Sequence, residues 1–449
     1  MQKHLTLLLA TLTLTTTLAQ AQWSEVGGLN ALAANQNIRA LCFDTTGNLY
    51  AAGYFTNASG KQYVAKWDGL TWSEVGGLNG LAANDIIYTL CIDSSNNLYA
   101  AGDFTNANGK RYVAKFDGST WTELGGLNGL NANSNIRSVC SDAQGNIYAA
   151  GNFVDSVTLD YYVAKFNGTT WNELAGADSL MANAIIGVVN VDAAGNVYTA
   201  GAFQNSQSYY YVAKFDGTNW SEVGNGLDTL KANNGINTIT VNDFNAAGGF
   251  TNGTGKQYVA NWGGSMWSEV GGLNSLAANF GIVKIHIDKF GNLFATGGFR
   301  NINNHCYVAV FNGLSWGELG GISSLIPFGG LSDVTSDRYG NIYTCGSIKN
   351  SSGYYYVAKY TDPNSIAEYQ NDLSFSAYPN PASYNLNLVL SSKHPLTISI
   401  RSTLGETIIE KTNVKQNSLQ LNVSLLEPGI YFITIANNKK SVTRKFMKN

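Results

Sequence analysis

The chain has 449 residues, a net charge of −3 and only 13% charged residues, so neither a disordered chain nor a nucleic-acid-binding protein is expected. Its 49 glycines, 12% aromatic residues and six prolines are typical of an all-β protein with many turns. Acidic residues outnumber basic ones up to about residue 370, and the reverse holds beyond it. This change in charge predicts two modules.

The first 21 residues form a candidate export signal. Lys3 precedes an apolar, threonine-rich stretch, and Ala19 and Ala21 provide the small-x-small pattern of a cleavage site. We therefore predict a signal peptide over 1–21 and a mature chain that begins at Gln22. A membrane anchor is the alternative, but the stretch is shorter than the ~20 apolar residues of a span, and no other segment reaches that length.

Export makes disulfides feasible, but the five cysteines are an odd number. Cys42, Cys91 and Cys140 occupy one position of a repeat that is filled elsewhere by Asn, Thr or His. We expect buried free thiols at this small, semi-polar packing position.

An internal repeat of about 49 residues covers most of the chain. Each copy contains four short strand patterns, a turn of the form Asp-x-x-Gly-Asn and a second hairpin with Asp-Gly or Asn-Gly. One such copy has the length of a propeller blade, so we predict a seven-bladed β-propeller over residues 22–362. The copies align on seven tryptophans: Trp23, Trp72, Trp121, Trp171, Trp220, Trp267 and Trp316.

The phase of the repeat predicts how the ring closes. The mature chain opens with a lone fourth strand at 23–26, and the last copy ends with its third strand at 356–360. We expect these two segments to pair, because pairing removes the open edge of the last blade.

The repeat resembles a kelch-type blade. A Gly-Gly or Ala-Gly pair ends the second strand, as at Gly248-Gly249, and an aromatic residue in the third strand stands five residues before the next Trp. The Asp-x-x-Gly-Asn hairpin and a long Gly-Gly-Leu loop depart from the usual pattern and are more similar to kelch-like repeats of secreted bacterial propellers. The resemblance implies a fold and says little about function.

A polar connector at 363–372 leads to several alternating strand patterns in 373–449, which predict a small β-sandwich. This segment resembles the C-terminal sorting domain of the type IX secretion system of Bacteroidota. The resemblance implies export to the cell surface or the medium, with the translocon and its C-terminal processing machinery as partners. An ordinary binding sandwich, such as a carbohydrate-binding module, is the alternative. The residues that carry the resemblance are Pro379, Asn380, Pro381, Gly405, Pro428, Gly429, Tyr431, Lys445, Phe446 and Lys448.

Few side chains suit catalysis or metal binding. After cleavage the histidines are His286, His305 and His394, and the adjacent His305–Cys306 pair falls short of the ligands that zinc needs. The acidic residues recur once per repeat, which indicates an architectural role. We therefore expect no catalytic residue, metal or cofactor. A singular buried acid in one funnel would instead favour an enzyme.

One set of repeated polar residues remains as a candidate ligand rim. The fourth-to-first-strand loops carry a recurring Asn, and the second-to-third-strand loops, which lie at the same end of a propeller, are polar and carry Lys. These side chains suit a glycan or a protein ligand, although Asn also caps turns. We predict a monomeric, non-catalytic binding propeller; a polysaccharide-acting enzyme and a purely structural surface protein are the alternatives. The candidates are Asn35, Asn84, Asn133, Asn183, Asn233, Asn279, Lys61, Lys110 and Lys256.

Overall fold

A computed structural model describes two compact units, residues 1–363 and 364–449, which are treated separately below. The predicted signal peptide, the predicted connector and Pro379, Asn380 and Pro381 lie outside the described residues. The structure describes residues 22–175, 179–224, 228–241, 243–361, 374–378, 382, 384–391, 395–403, 405–416, 418–437 and 441–448.

The prediction of an all-β chain is confirmed, since every regular element among the described residues is a strand. In chain order the strands are β1 (Gln22–Glu25), β2 (Ile38–Phe43), β3 (Leu49–Gly53), β4 (Ala65–Trp67), β5 (Trp72–Glu74), β6 (Ile87–Ile92), β7 (Leu98–Gly102), β8 (Ala114–Phe116), β9 (Trp121–Glu123), β10 (Ile136–Ser141), β11 (Ile147–Gly151), β12 (Ala164–Phe166), β13 (Trp171–Glu173), β14 (Ile186–Val191), β15 (Val197–Gly201), β16 (Ala213–Phe215), β17 (Trp220–Glu222), β18 (Ile236–Thr240), β19 (Asn245–Thr251), β20 (Gln257–Trp262), β21 (Trp267–Glu269), β22 (Ile282–Ile287), β23 (Leu293–Gly297), β24 (Ala309–Phe311), β25 (Trp316–Glu318), β26 (Leu331–Ser336), β27 (Ile342–Gly346), β28 (Ala358–Thr361), β29 (Ser374–Tyr378), β30 (Asn385–Ser391), β31 (Leu396–Ser402), β32 (Thr407–Val414), β33 (Ser418–Asn422), β34 (Gly429–Ala436) and β35 (Ser441–Lys448).

Strands β1–β28 build repeated four-stranded antiparallel sheets, the architecture of a β-propeller. Six sheets each use four consecutive strands, from β2–β5 to β22–β25. The remaining sheet has the order β1-β28-β27-β26, so the first strand joins the last three, with Trp23 opposite Tyr360. Each first strand contacts that of the next sheet, and β26 contacts β2. In this article, sheet 1 is β2–β5, sheets 2–6 follow in chain order, and sheet 7 contains β1.

The second strands form the most buried layer of every sheet. In β3, β7 and β11 the five residues are buried throughout, because adjacent alanines present one small side chain to each face and allow close approach of the sheets on both sides. In six sheets a fully buried Phe lies two residues after the glycine of the second strand and meets a Tyr edge-to-face, as Phe104 and Tyr112 do with ring centroids 4.9 Å apart. Sheet 7 has buried Ile348 in that place.

Every first strand contains a β-bulge at its second residue. In sheet 2 the register shifts between Ile87 and Thr89, so Tyr88 has no partner on β7. Gly102 faces this bulge, and a Cβ added to it would lie 2.0 Å from the carbonyl oxygen of Ile86. The recurring glycine at the end of each second strand is therefore required for close backbone approach.

Substitution of two glycines by alanine tests whether close backbone approach requires glycine. Gly102→Ala should destabilise the protein by about 1–3 kcal/mol or more, because the methyl group collides with backbone that side-chain motion cannot relieve. Gly187 is the matched control: its Cβ would make only ordinary contacts, the nearest at 3.6 Å. Gly187→Ala should leave the melting temperature close to that of the parent. Equal melting temperatures for the two variants would contradict this account of the bulge.

The recurring tryptophans link neighbouring sheets by indole hydrogen bonds, and this set of bonds is called the tryptophan belt. The indole Nε1 of Trp72 in sheet 1 donates to the carbonyl of Val26 in sheet 7 at 3.0 Å, and Trp121 in sheet 2 donates to Val75 in sheet 1 at 3.0 Å. The belt closes because Trp23 donates to Leu319 at 3.3 Å. The other links are Trp171–Leu124, Trp220–Leu174, Trp267–Val223 and Trp316–Val270.

Removing β1 should open this belt. A mature chain that begins at Gly27 loses the β1–β28 pairing and the buried Trp23 and Val26 side chains. Loss of one buried Trp alone costs about 3–5 kcal/mol. We expect a clearly lower melting temperature than for a chain that begins at Gln22, and equal melting of the two chains would contradict a closing role for β1.

The second unit is a small β-sandwich. A three-stranded sheet of order β29-β30-β33 faces a four-stranded sheet of order β32-β31-β34-β35. Their inward side chains, among them Leu388, Ile400, Ile433 and Phe446, form one buried core.

Candidate binding surfaces

The six candidate asparagines tie two loops together within each sheet. The Oδ1 atom of Asn84 accepts from the backbone N–H of Thr105 at 2.8 Å, and its Nδ2 donates to the Thr105 hydroxyl at 3.0 Å. The same two-bond clip recurs in the other five sheets that have this Asn; in three of them Nδ2 donates to a backbone carbonyl. The clips join Asn35–Thr56, Asn133–Val154, Asn183–Gln204, Asn233–Thr251 and Asn279–Arg300.

Backbone hydrogen bonds join the clipped loops of one sheet to those of the next. The clips and these backbone pairs together are called the loop girdle. Gln62, in the second-to-third-strand loop of sheet 1, exchanges two backbone hydrogen bonds with Ala83, the residue before Asn84. Clips and pairings alternate in this way from sheet to sheet, and Ala34 pairs with Tyr355 across the chain ends. The girdle is interrupted before sheet 7, where Pro327 has no N–H to donate and Phe328 replaces the Asn.

The candidate lysines lie on loops that are also fixed in shape. Asn57 Oδ1 accepts from the backbone N–H of Lys61 at 3.1 Å, and Asn57 Nδ2 contacts both carboxylate oxygens of Glu74. Matching bonds hold Lys110 and Lys256. Glu25, Glu123, Glu222, Glu269 and Glu318 accept from the equivalent Asn, so these glutamates anchor loops, the architectural role expected of them. All six clip asparagines and Lys256 are exposed, whereas Lys61 and Lys110 are partly buried.

The repeated aspartates cap turns. Asp44 Oδ1 accepts from the backbone N–H groups of Thr46, Gly47 and Asn48, and Oδ2 accepts from Asn48 Nδ2. Burial alone would raise the pKa of Asp44, but these hydrogen bonds outweigh burial and hold the pKa below its usual value. In sheet 2, Asn96 takes the left-handed position of the glycine, with φ 63°.

The five cysteines and the two histidines within the described residues, His286 and His305, have structural surroundings that explain them. All five cysteines are free, and burial raises the pKa of Cys91 to about 11. His286 Nε2 lies 2.7 Å from the Ser336 hydroxyl, and burial lowers its pKa to about 4. His305 Nδ1 lies 3.1 Å from Ser323. Within the part of the chain that the structure describes, no group of three metal-ligating side chains occurs.

A central cavity of about 400 Å³ was missed by the sequence-based search. Each of the seven first strands contributes its second and third residues to the lining, for example Arg39 and Ala40 of β2. Both residues reach the cavity because the bulge interrupts the normal alternation of side chains. The second residues are Arg39, Tyr88, Arg137, Gly187, Asn237, Val283 and Ser332, and the third are Ala40, Thr89, Ser138, Val188, Thr238, Lys284 and Asp333.

Four of the third residues connect neighbouring sheets. The hydroxyl of Thr89 accepts from the backbone N–H of Val139 in the next sheet at 3.3 Å. Ser138 accepts from Val189, and Thr238 accepts from Ile285. We call these residues latches, because their hydroxyl oxygens accept hydrogen bonds that join the first strands of neighbouring sheets.

Asp333 is the fourth latch and the one acid among the residues that line the cavity. Its Oδ2 accepts from the backbone N–H of Leu41 at 2.8 Å, and Oδ1 lies 3.8 Å from Lys284 Nζ. Burial raises its pKa, although Lys284, the backbone N–H groups of Leu41 and Val334, and Arg39 act in the opposite direction.

In the C-terminal unit, the described motif residues support the sandwich. Gly405 has φ 89° in the turn after β31, and its N–H donates to Ser402. Tyr431 stacks on buried Phe446, with ring centroids 5.7 Å apart, and donates to the Glu427 carbonyl. Pro428 precedes β34, which begins at Gly429, and the backbones of Lys445 and Lys448 pair with that strand.

Comparison with protein families identifies this unit. Residues 376–449 match the secretion system C-terminal sorting domain. The chain therefore carries a sorting domain of the type IX secretion system, is handled by that machinery, and is extracellular or displayed at the cell surface. Among the described residues, no helix could cross a membrane. A comparison with curated proteins found no match.

Several solved structures are similar to this chain at low identity. The extracellular domain assigned to a one-component system of B. thetaiotaomicron has 13% identity, with 92% of this chain and 69% of that chain covered and a TM-score of 0.32. A six-bladed fucose-recognising lectin from Aleuria aurantia has 16% identity, 64% and 95% coverage, and a TM-score of 0.37. A protein assigned as a gluconolactonase has 10% identity, 76% and 92% coverage, and a TM-score of 0.41.

The sorting domain predicts a defined secretion defect. Removing residues 373–449 should leave the first unit folded but retained in the periplasm, because the translocon no longer recognises the chain. Cell fractionation with an antibody against the first unit measures this, with the full chain as control. Truncated protein in the medium or on the surface would contradict it.

Proposed function

We propose that this protein is a seven-bladed, kelch-like propeller that enters the periplasm by a signal peptide, is delivered outside the cell, and there binds a glycan or a protein without catalysis. The binding surface is the end of the propeller that carries the fourth-to-first and second-to-third-strand loops. The single observation that carries the proposal is the loop girdle.

The girdle supports binding because it fixes the loops before a ligand arrives. Each clip asparagine uses Oδ1 and one amide hydrogen for the neighbouring loop, and the exposed side of the amide remains open to solvent. Pre-organised loops lose little conformational entropy on binding. Since the loops recur around the ring, weak equivalent contacts add together on a multivalent ligand.

Asp333 is the observation that an enzyme hypothesis would use, because it is a buried acid at the central cavity. The latch accounts for it differently: Asp333 occupies the position of Thr89, Ser138 and Thr238 and accepts the same kind of inter-sheet hydrogen bond. Glycoside hydrolysis also uses a pair of carboxylates, and Asp333 stands alone among the lining residues. We therefore favour binding.

Substitution of the three rim lysines tests the proposed binding surface without disturbing the asparagine clips. The variant K61Q/K110Q/K256Q keeps the backbone bonds to the loop asparagines but removes three charges from the proposed surface. We expect at least about a tenfold loss of signal on a glycan array or in binding to surface proteins, because multivalent contacts multiply. The melting temperature should stay near that of the parent.

The matched control is K66Q/K115Q/K165Q, which removes the same charge from third strands. Those lysines lie over Tyr50, Tyr99 and Tyr148, at 6.0, 5.9 and 5.5 Å from the ring centroids. The control should bind like the parent. Equal binding by the rim variant, or a parent that binds neither glycan nor protein, would overturn the proposed function and favour the purely structural alternative.

A further inference from the structure

The second residues of the first strands do not take part in the latches, although Asn237 donates to the Ile282 carbonyl of the next sheet. They are the bulged residues, so they stand outside the strand register. They also differ between repeats that are otherwise nearly alike: the second strands read LYAAG in sheets 1 and 2 and IYAAG in sheet 3, whereas the bulged residues there are Arg39, Tyr88 and Arg137.

Three cations line the cavity: Arg39 and Arg137 among the second residues and Lys284 among the third. Around the cavity, sheets 6, 7, 1, 2 and 3 contribute Lys284, Asp333, Arg39, Tyr88 and Arg137 in that order. Three positive groups and one carboxylate line the cavity, which leaves an excess of positive charge. A confined polar cavity with such an excess attracts anions.

Arg39 presents the most available donors of the three. Arg137 Nε donates to Asn135, and its guanidinium lies over Tyr88 at 5.1 Å. Lys284 contacts Asp333. Within the described residues, the Arg39 guanidinium has no hydrogen-bond or ion-pair partner. Its planar set of N–H groups matches a carboxylate or a sulfate.

The part of the lining that comes from sheets 4 and 5 includes two glycines that leave space. Gly187 and Gly235 line it, and neither has a backbone reason to be glycine: an added Cβ would have its nearest neighbour at 3.6 and 3.5 Å respectively. Their lack of side chains therefore leaves space rather than permitting close packing. Asn237 stands beside this space and donates from Nδ2 to the Ile282 carbonyl.

We propose that the central cavity is a second binding site, separate from the loop rim, which takes a small anionic sugar through its carboxylate or sulfate group. The anionic group lies against Arg39 and Lys284, and the sugar ring occupies the space beside Gly187. The Tyr88 and Ser332 hydroxyls and Asn237 Oδ1 are available to bond its hydroxyl groups. The cavity volume of about 400 Å³ suits such a ligand.

Calorimetric titration of the secreted protein tests the site with defined probes. The carboxylate arm uses digalacturonate, the sulfate arm uses glucose 6-sulfate, and a neutral galactose disaccharide is the reference. We expect at least one charged probe to bind and the neutral one to bind at least about tenfold more weakly, since charge-assisted hydrogen bonds are lost. Binding should weaken as salt is added.

Two variants locate the site. R39Q removes a guanidinium without a partner among the described residues, so it should fold normally and weaken binding about tenfold or more. G187F fills the space that the two glycines leave and should abolish binding of charged and neutral probes alike. The melting temperature of each variant is measured together with its titration. The charge control is K66Q/K214Q, because Lys66 and Lys214 are not among the residues that line the cavity.

The outcomes separate this proposal from the proposed function. Equal affinity for charged and neutral disaccharides, no binding of any probe, or unchanged binding by folded R39Q would overturn the cavity site. None of these results affects glycan-array binding through Lys61, Lys110 and Lys256. Conversely, loss of rim binding in the triple variant should leave the titration of digalacturonate unchanged.

Discussion

Seven indole N–H groups join each sheet of the first unit to the sheet before it. The donor–acceptor distances run from 2.8 Å for Trp171 to 3.3 Å for Trp23 and Trp267. Because the acceptor is always the carbonyl just after a neighbouring fourth strand, every repeat must hold the same phase. The nearly equal spacing of the tryptophans reflects this constraint, and the pairing of β1 with β28 places Trp23 so that the last sheet meets it too.

Two further belts run parallel to the tryptophan belt. The loop girdle joins neighbouring sheets at one end of the ring, and the latches from Thr89, Ser138, Thr238 and Asp333 join them along the cavity. Each belt satisfies polar groups that would otherwise be buried at a sheet boundary. An acid can serve as a latch because the carboxylate accepts the same N–H that a hydroxyl accepts, with Lys284 nearby to balance its charge.

The sequence predicted much of the fold, because repetition makes structural requirements visible. The tryptophan spacing marked the sheets, and the Asp-x-x-Gly-Asn pattern marked hairpins whose geometry depends on Asp44 and its equivalents. The clips were less accessible: Asn35 and Thr56 are distant in the sequence, and only tertiary structure shows that the Asn side chain reaches a different loop rather than its own turn.

The cavity could not be found by looking for repeated residues, because its bulged residues are the positions where the repeats differ. A usable signal was present in the recurring glycine at the end of the second strand, which Gly102 shows to be required by a bulge. Variation at the bulged position, against nearly constant second strands, would then have singled out Arg39 and Arg137. The position of a residue within the repeat distinguished the structural residues from those of the proposed cavity site better than the residue type did.

The interruption of the girdle at Pro327 has a mechanical consequence. Between sheets 6 and 7 the loops lack both the backbone pairing and the asparagine clip, while the tryptophan link from Trp23 to Leu319 remains. At the loop end of the ring this boundary therefore has fewer links than the others, although His286 still contacts Ser336 and Lys284 still contacts Asp333 between the first strands. We expect the loops at this end to separate first between sheets 6 and 7. The boundary between sheets 7 and 1, beside the β1–β28 pairing, keeps both its backbone pairing and its asparagine clip, so at this end of the ring the weaker point lies within the continuous polypeptide.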